Sequence, residues 1–417
     1  MLPADGEAIH AARAAEAAAR RSYGKLIAFL AARTRDVAGA EDALSEAFAA
    51  ALTDWPVHGV PQNPDAWLFT VARRKMVDAV RRRRLGEDAA GHLQWLAELA
   101  SDEDNEPVIP DERLGLMFAC AHPAIERSVR APLMLQAVLG FDAATIASAF
   151  LTAPGTMGQR LVRAKSKIRD ANIRLGLPDQ TMLAERLDTV LEAIYAAYSE
   201  GWADPEGSDA RRRNLADEAI WLGRLVASLL PDDAEALGLL ALMLHTHARR
   251  AARRGTDGAY VALSDQDVRL WDLAMIDEAE ELLSHASRGG KLGRYQLEAA
   301  VQSAHAVRRR GGQSDWAAIV QLYDVLCKLT DSPVAMLNRA VAIAETQGAA
   351  MGLAALDALA GDARLSEYQP YWAARAELLT RNGSAEAAAQ AYRRAIGLER
   401  DPAVRHFLQQ RAGTVGG

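Results

Sequence analysis

PDAWLFTVARRKMVDAVRRRR, residues 64–84, decides the fold class. Trp67, Leu68, Val71, Met76, Val77 and Val80 recur at helical spacing and supply one buried stripe, which leaves the arginines outside. Asp65 is placed to cap a helix that begins at Ala66. From residue 71 onward, seven basic residues stand against the single acid Asp78. An apolar stripe backed by a cationic face returns in TMGQRLVRAKSKIRDANIR, residues 156–174, with six basic residues against Asp170. Between the two lies SDEDNEPVIPDE, residues 101–112, acidic, with two prolines and little helical pattern.

These clusters sit in a chain of 417 residues with net charge −7. Residues 1–178 hold 22 basic and 22 acidic side chains, and residues 179–417 hold 26 and 33. The first part is neutral but segregated, and segregated positive charge on helices is the footprint of nucleic-acid binding. Charge alone also describes an ordinary solvated face, so the order of the other motifs has to decide. Alanine, leucine, arginine and glutamate dominate and β-branched runs are few, which predicts an all-α fold with sizeable cores. No apolar stretch reaches the ~18–20 residues of a membrane span. The N-terminus carries early acids and no apolar segment of the kind a secretory signal needs. Two cysteines far apart, Cys120 and Cys327, point to a reducing, cytoplasmic setting without a disulfide framework.

Working outward from the arginine helix, Leu26, Phe29 and Leu30, then Ala40, Ala43, Leu44, Ala47, Phe48 and Ala51, mark earlier helices. Pro56, Gly59, Pro61 and Pro64 predict a loop. Beyond the acidic stretch, helices are expected over 113–123 and 129–139. A short helix over 143–150, a turn at 152–155 and a longer helix over 156–169 follow. Ile146, Ala147 and Phe150 are spaced to pack on Met157, Leu161, Ala164 and Ile168, as in a helix-turn-helix. Residues 376–402, AELLTRNGSAEAAAQAYRRAIGLERDP, read as a tetratricopeptide-like helix pair, with Ala388 and Ala395 at the close approach and Pro402 ending the unit.

Taken in order, these segments resemble a known family. AEDALSEAF (40–48) and PDAWLFTVARRKMVDAVRRRR (64–84) look like region 2 of extracytoplasmic-function (ECF) sigma factors of the sigma-70 family. IPDERLGLMFACAHPAI (109–125) with TIASAFLTAPGTMGQRLVRAKSKIR (145–169) looks like region 4. LLALMLHTHARRAAR (239–253), SDQDVRLWD (264–272), GRYQLEAAVQSAHA (293–306), SDWAAIVQLYDVL (314–326) and SPVAMLNRAVAIAE (332–345) resemble the subgroup with a long helical C-terminal extension. The resemblance implies two small helical domains followed by tetratricopeptide-like helical repeats. It places region 2 at residues 8–85, an acidic linker at 86–112, region 4 at 113–178, a helical extension at 179–310 and repeats at 311–412.

It also implies roles. Glu41, Asp42, Ser45 and Glu46 would dock on the clamp of core RNA polymerase, and Ser45 replaces a glutamine usual in relatives. His58, Gln62 and Asn63 would hold a base flipped from the melted −10 element, although a plain proline-rich connector has the same composition. Arg73, Arg74, Lys75, Arg81 and Arg82 would neutralise phosphates around −10, and Arg74 departs from an asparagine common in the family. At −35, Gln159 and Arg163 suit base edges, Val162 a thymine methyl, Thr156 a phosphate, and Arg160, Lys165 and Lys167 the backbone. The expected partners are core polymerase (clamp and flap), double-stranded and melted promoter DNA, and a peptide or protein on the extension, with no membrane. The linker would run through the polymerase as a nucleic-acid mimic.

No nucleophile–base set, metal set or phosphate-cradling loop suggests an enzyme, and no cofactor is expected. His245 and His247 lie two apart and do not share a helix face, and Cys120 and His122 read as structural. Asp265, Gln266, Asp267 and Arg269, near Trp271, form a polar cluster suited either to a ligand or to bonds between helices. The other functional reading is a helix-turn-helix regulator that works without polymerase and senses a ligand or protein through its helical domain.

Overall fold

The computed structural model describes residues 3–83, 111–150, 152–202, 210–290 and 292–416. Among these residues the chain is all-α: eighteen α-helices, six short 3-10 turns and a single isolated bridge, Arg254 to Tyr260. None of the helices is long and apolar enough to cross a membrane. The acidic linker expected at 86–112 falls almost wholly outside the described residues. The chain divides into two compact units, one of residues 1–203 with 209–219, the other of 204–208 with 220–417.

In the first unit, α1 (Pro3–Thr34), α2 (Val37–His58) and α3 (Pro64–Arg83) pack against one another. Leu26, Ile27, Leu44, Trp55 and Leu68 are fully buried among them. Edge-to-face ring pairs, Phe29 on Phe69 at 5.2 Å and Trp55 on Trp67 at 5.5 Å, fix α3 to its two neighbours. Two expectations change here. Helix α2 runs through Pro56 to His58, because a proline costs only the carbonyl partner four residues back when the helix ends a turn later. The chain then turns at Gly59, whose φ of +88° suits glycine. Helix α3 begins at Pro64, and Asn63, not Asp65, is its cap, accepting from the Ala66 amide at 3.1 Å. Asp65 instead accepts from the Ser22 hydroxyl at 2.6 Å and ties α3 to α1.

The same unit continues with α4 (Arg113–Cys120), α5 (Arg127–Leu139), α6 (Ala143–Ala149), α7 (Pro154–Asp170) and α8 (Gln180–Trp202). Every residue of α4 from Leu114 to Cys120 is buried. Helix α1 packs on both α4 and α5, and α2 packs on α7, so the two halves separated by the linker form one body. The approach of α1 to α5 requires Gly24: a Cβ there would stand 2.0 Å from the Val138 carbonyl oxygen.

The second unit contains the C-terminal part of α9 (Ala210–Leu229), then α10 (Ala234–His247), α11 (Leu273–Ser287), α12 (Arg294–Ala306) and α13 (Trp316–Thr330). It ends with α14 (Pro333–Gln347), α15 (Ala349–Asp357), α16 (Gln369–Arg381), α17 (Ala385–Leu398) and α18 (Pro402–Gly413). From α12 onward each helix packs on its successor in sequence. In the last pair, Ala388, Ala391 and Ala395 let α16 and α17 close up around Tyr392.

Candidate nucleic-acid interface

Helices α6 and α7 pack against each other, as the expected helix pair requires. Asp142 caps α6 through the amides of Ala144 and Thr145 and the Thr145 hydroxyl. The Thr152 amide bonds back to the Ala147 carbonyl at 2.9 Å and sets the turn. Helix α7 starts two residues earlier than the pattern suggests, because Pro154 occupies its first turn, where no amide partner is needed. Met157, Leu161, Ala164 and Ile168 are buried. Thr156, Gln159, Val162, Arg163 and Lys167 are exposed and Arg160 is half-buried, so these six share one accessible side. Val162 is 60% exposed and is the apolar member of that side. Arg160, Arg163 and Lys167 also line a groove against Glu126 and Val129 of about 420 Å³.

Lys165 does not join that side. It is buried, and its Nζ lies 2.5 Å from Oε2 of Glu41 on α2. The side chains keep only 10% and 13% of their exposure. Burial raises the Glu41 carboxyl above its usual range, Lys165 pulls it back, and Asp42 and Asp36 add to the rise. Glu41 Oε1 is buried without a hydrogen-bond partner. The Tyr23 hydroxyl and the Cys120 thiol are both pushed up, first by burial and then by the Glu41 charge. Glu41 therefore sits at a junction of α1, α2, α4 and α7, where its carboxylate is incompletely satisfied.

The remaining acids of α2 face water. Asp42, Ser45 and Glu46 are exposed, and Glu46 pairs with Lys75 of α3 at 3.0 Å. Such a surface pair is worth about 0–1 kcal/mol and exchanges partners readily. Along the loop, His58 and Gln62 are exposed, with His58 Nδ1 2.8 Å from Asp54 Oδ1. Asn63 spends its side-chain oxygen on the cap of α3. Arg74 is exposed and Arg73 half-buried, while the side chains of Arg81 and Arg82 lie outside the described residues. Of these groups, the structure brings Lys75 of α3 and His58 to one groove, with Glu46 beside them.

One signal was available for Lys165. It follows Leu161 by four residues and precedes Ile168 by three, which is the spacing of the buried stripe itself. A lysine at such a position needs a carboxylate, which tertiary packing supplies from α2. Among the described residues, no group of three or more His, Cys, Asp or Glu side chains is arranged to hold a metal ion.

Comparison with known proteins adds two families and one relative. Residues 19–85, from the middle of α1 to the end of α3, match sigma-70 region 2. Residues 186–287 match a family of unknown function, DUF6596. An uncharacterized protein of Rhizobium meliloti (strain 1021) is 40% identical over 366 residues, covering 86% of each chain. No solved structure matches.

Proposed function

We propose that the chain, whose residues 19–85 match sigma-70 region 2, is an ECF-type sigma factor carrying a regulatory helical extension. The observation that carries this is an ordered pair of cationic devices. A region 2 with its arginine helix α3 is followed by a helix-turn-helix whose second helix presents Gln159, Val162 and Arg163 outward.

In this reading α3 and the 59–63 loop engage −10, where Arg73, Arg74 and Lys75 neutralise phosphates and His58 and Gln62 face the displaced base. Helix α7 enters the major groove at −35, Gln159 and Arg163 taking base edges. The acids of α2 dock on the polymerase clamp. The helical pairs from α12 to α18 serve as a tetratricopeptide-like regulatory surface.

The arrangement described above is then a closed one. A docking acid, Glu41, and a DNA-facing cation, Lys165, use each other as partners, so neither is available to polymerase or promoter. Core polymerase offers Glu41 a cation and promoter DNA offers Lys165 a phosphate, and loading requires the α2–α7 contact to part.

Run-off transcription tests the reading. Purified protein and core polymerase, on the DNA upstream of its own gene, are expected to give a discrete transcript that depends on the protein. Sequence-specific binding to that DNA without core, together with failure to bind core, would replace the sigma reading with a polymerase-independent regulator.

A further inference from the structure

The second unit holds a cavity of about 780 Å³ that no step of promoter recognition uses. Five pieces of chain meet around it: Arg249 just beyond α10, Ser264 of a 3-10 turn, His305 of α12, Trp316 and Tyr323 of α13, and Asn338 of α14. Arg308, in the 3-10 turn after α12, completes the wall. The size is that of pockets for small organic ligands, typically ~300–1,000 Å³.

Its charged lining is mainly cationic. The guanidinium carbons of Arg249 and Arg308 lie 5.9 and 5.4 Å from the ring centroid of Trp271, which is 2% exposed and braces both from behind. Arg249 donates to Gln302 Oε1 at 2.7 Å, and Arg308 donates to the main-chain oxygens of Leu263 at 2.9 Å and Ser264 at 3.0 Å. The acceptors of Arg308 are neutral and leave its positive charge in place. The carboxylate in the lining, Glu345, is bound to Arg381. His305 sits between the cations, its ring edge-on to Trp316 at 5.2 Å and its Nδ1 3.3 Å from Ser314 Oγ. Burial, then the charges of Arg249 and Arg308, hold its imidazole neutral, with a pKa of about 4.

The loop that closes the wall is built for the purpose. Gly311 adopts φ +82°, and a Cβ on Gly312 would stand 2.2 Å from Val307 Cγ1. The glycine pair in RRRGGQSDW thus folds the loop tightly enough to bring Gln313 and Ser314 to the rim.

We propose that this cavity is a binding site for a small organic anion with a flat apolar part, its carboxylate or phosphate held by Arg308 and Arg249 and its ring set against Trp316 and Tyr323. Guanidinium forks match either anion in two-point contacts, and aromatic faces take flat apolar groups. Asn338 offers a donor and an acceptor to a polar substituent on the ring. The site is independent of the sigma reading, since it needs neither polymerase nor DNA.

Calorimetric titration of the full-length chain tests it. The probes are adenosine 5′-monophosphate and 2-naphthoate as flat anions, adenosine and 2-naphthamide as their neutral counterparts, phosphate and acetate as anions without a ring, and an acidic peptide. At least one flat anion is expected to saturate at one site and to bind about tenfold or more tighter than its neutral counterpart. Arg308→Gln should abolish that preference. Gln313→Glu, an exposed rim change that leaves the packing alone, should weaken binding about tenfold by repulsion. Whether the phosphate or the carboxylate probe prevails identifies the anion. Absence of saturable binding by both flat anions, equal binding of the neutral compounds, binding by the acidic peptide alone, or affinity unchanged in Gln313→Glu would each overturn the assignment.

Discussion

Glu41 and Lys165, 124 residues apart in sequence, bury one short ion pair between α2 and α7, and Glu41 keeps its second oxygen without a partner. A buried pair of this kind contributes little net stability, because desolvation offsets most of the attraction, yet losing one partner is costly. It is therefore a contact that specifies an arrangement without making it irreversible.

Lys165→Met strands a buried carboxylate and Glu41→Leu strands a buried ammonium. Each single substitution is expected to cost roughly 3 kcal/mol of first-unit stability, and the double substitution far less than the sum. Urea melts of the four proteins give the coupling directly. Additive losses would show that the two groups do not interact. Lys165→Met, which keeps Glu41, should also bind core polymerase more tightly than the native chain.

Gly24 offers a steric route to the same opening. Gly24→Leu places a side chain where the Val138 carbonyl oxygen stands 2.0 Å from the first carbon, so α1 and α5 must separate. Small-angle scattering should report a larger radius of gyration, and limited proteolysis faster cutting. A compact, resistant variant would mean that α1 and α5 are not in contact in solution.

On the proposed reading, the exposed side of α7 separates two kinds of contact. Arg163→Ala is expected to cost about 1–3 kcal/mol on the best promoter and to relax preference at one −35 position. Lys167→Ala should weaken all sequences alike and lower the salt slope by about one counterion. Polymerase-dependent binding to a randomised −35 library distinguishes them. Equal loss on every sequence for Arg163→Ala would assign it to the phosphates.

Two histidines make the second unit acid-sensitive. Burial first, then Arg249 and Arg310, lower His245 from an ordinary 6.5 to about 4, with Glu280 3.5 Å from its Nε2. His305 is lowered equally. The folded state holds both neutral, so the unfolded chain binds more protons. The stabilisation is complete above pH 6.5 and is lost as pH falls towards 4, by about 3 kcal/mol for each ring. Denaturant midpoints at pH 7 and pH 4.5 measure the loss, and His245→Leu should remove about half of it. A pH-independent midpoint would contradict the assignment.

The all-α class was legible because apolar spacing along α1 to α3 is regular and turn residues are clustered. The packing of α6 on α7 was legible for the same reason. Helix starts were not: at α3 and α7 a proline in the first turn moved the start two residues upstream of the expected one, and Pro56 did not end α2. The outward residues of α7 could be read from one helix alone, but the partner of Lys165 could not, since it depends on how α2 comes to lie beside α7. The polar cluster around Trp271 was visible in sequence as residue types. That Trp271 would brace two arginines at a cavity depends on α12, α13 and α14, up to about 70 residues further along the chain.

Cys120 ends α4 fully buried, its thiol held protonated by burial and by Glu41, whereas Cys327 is half-exposed. A maleimide or iodoacetamide reagent should therefore modify Cys327 at once and Cys120 only when the first unit breathes. The slow phase of alkylation then becomes a clock for opening, readable by mass spectrometry without any label introduced, and its acceleration by polymerase, promoter or a small anion would rank what releases the factor.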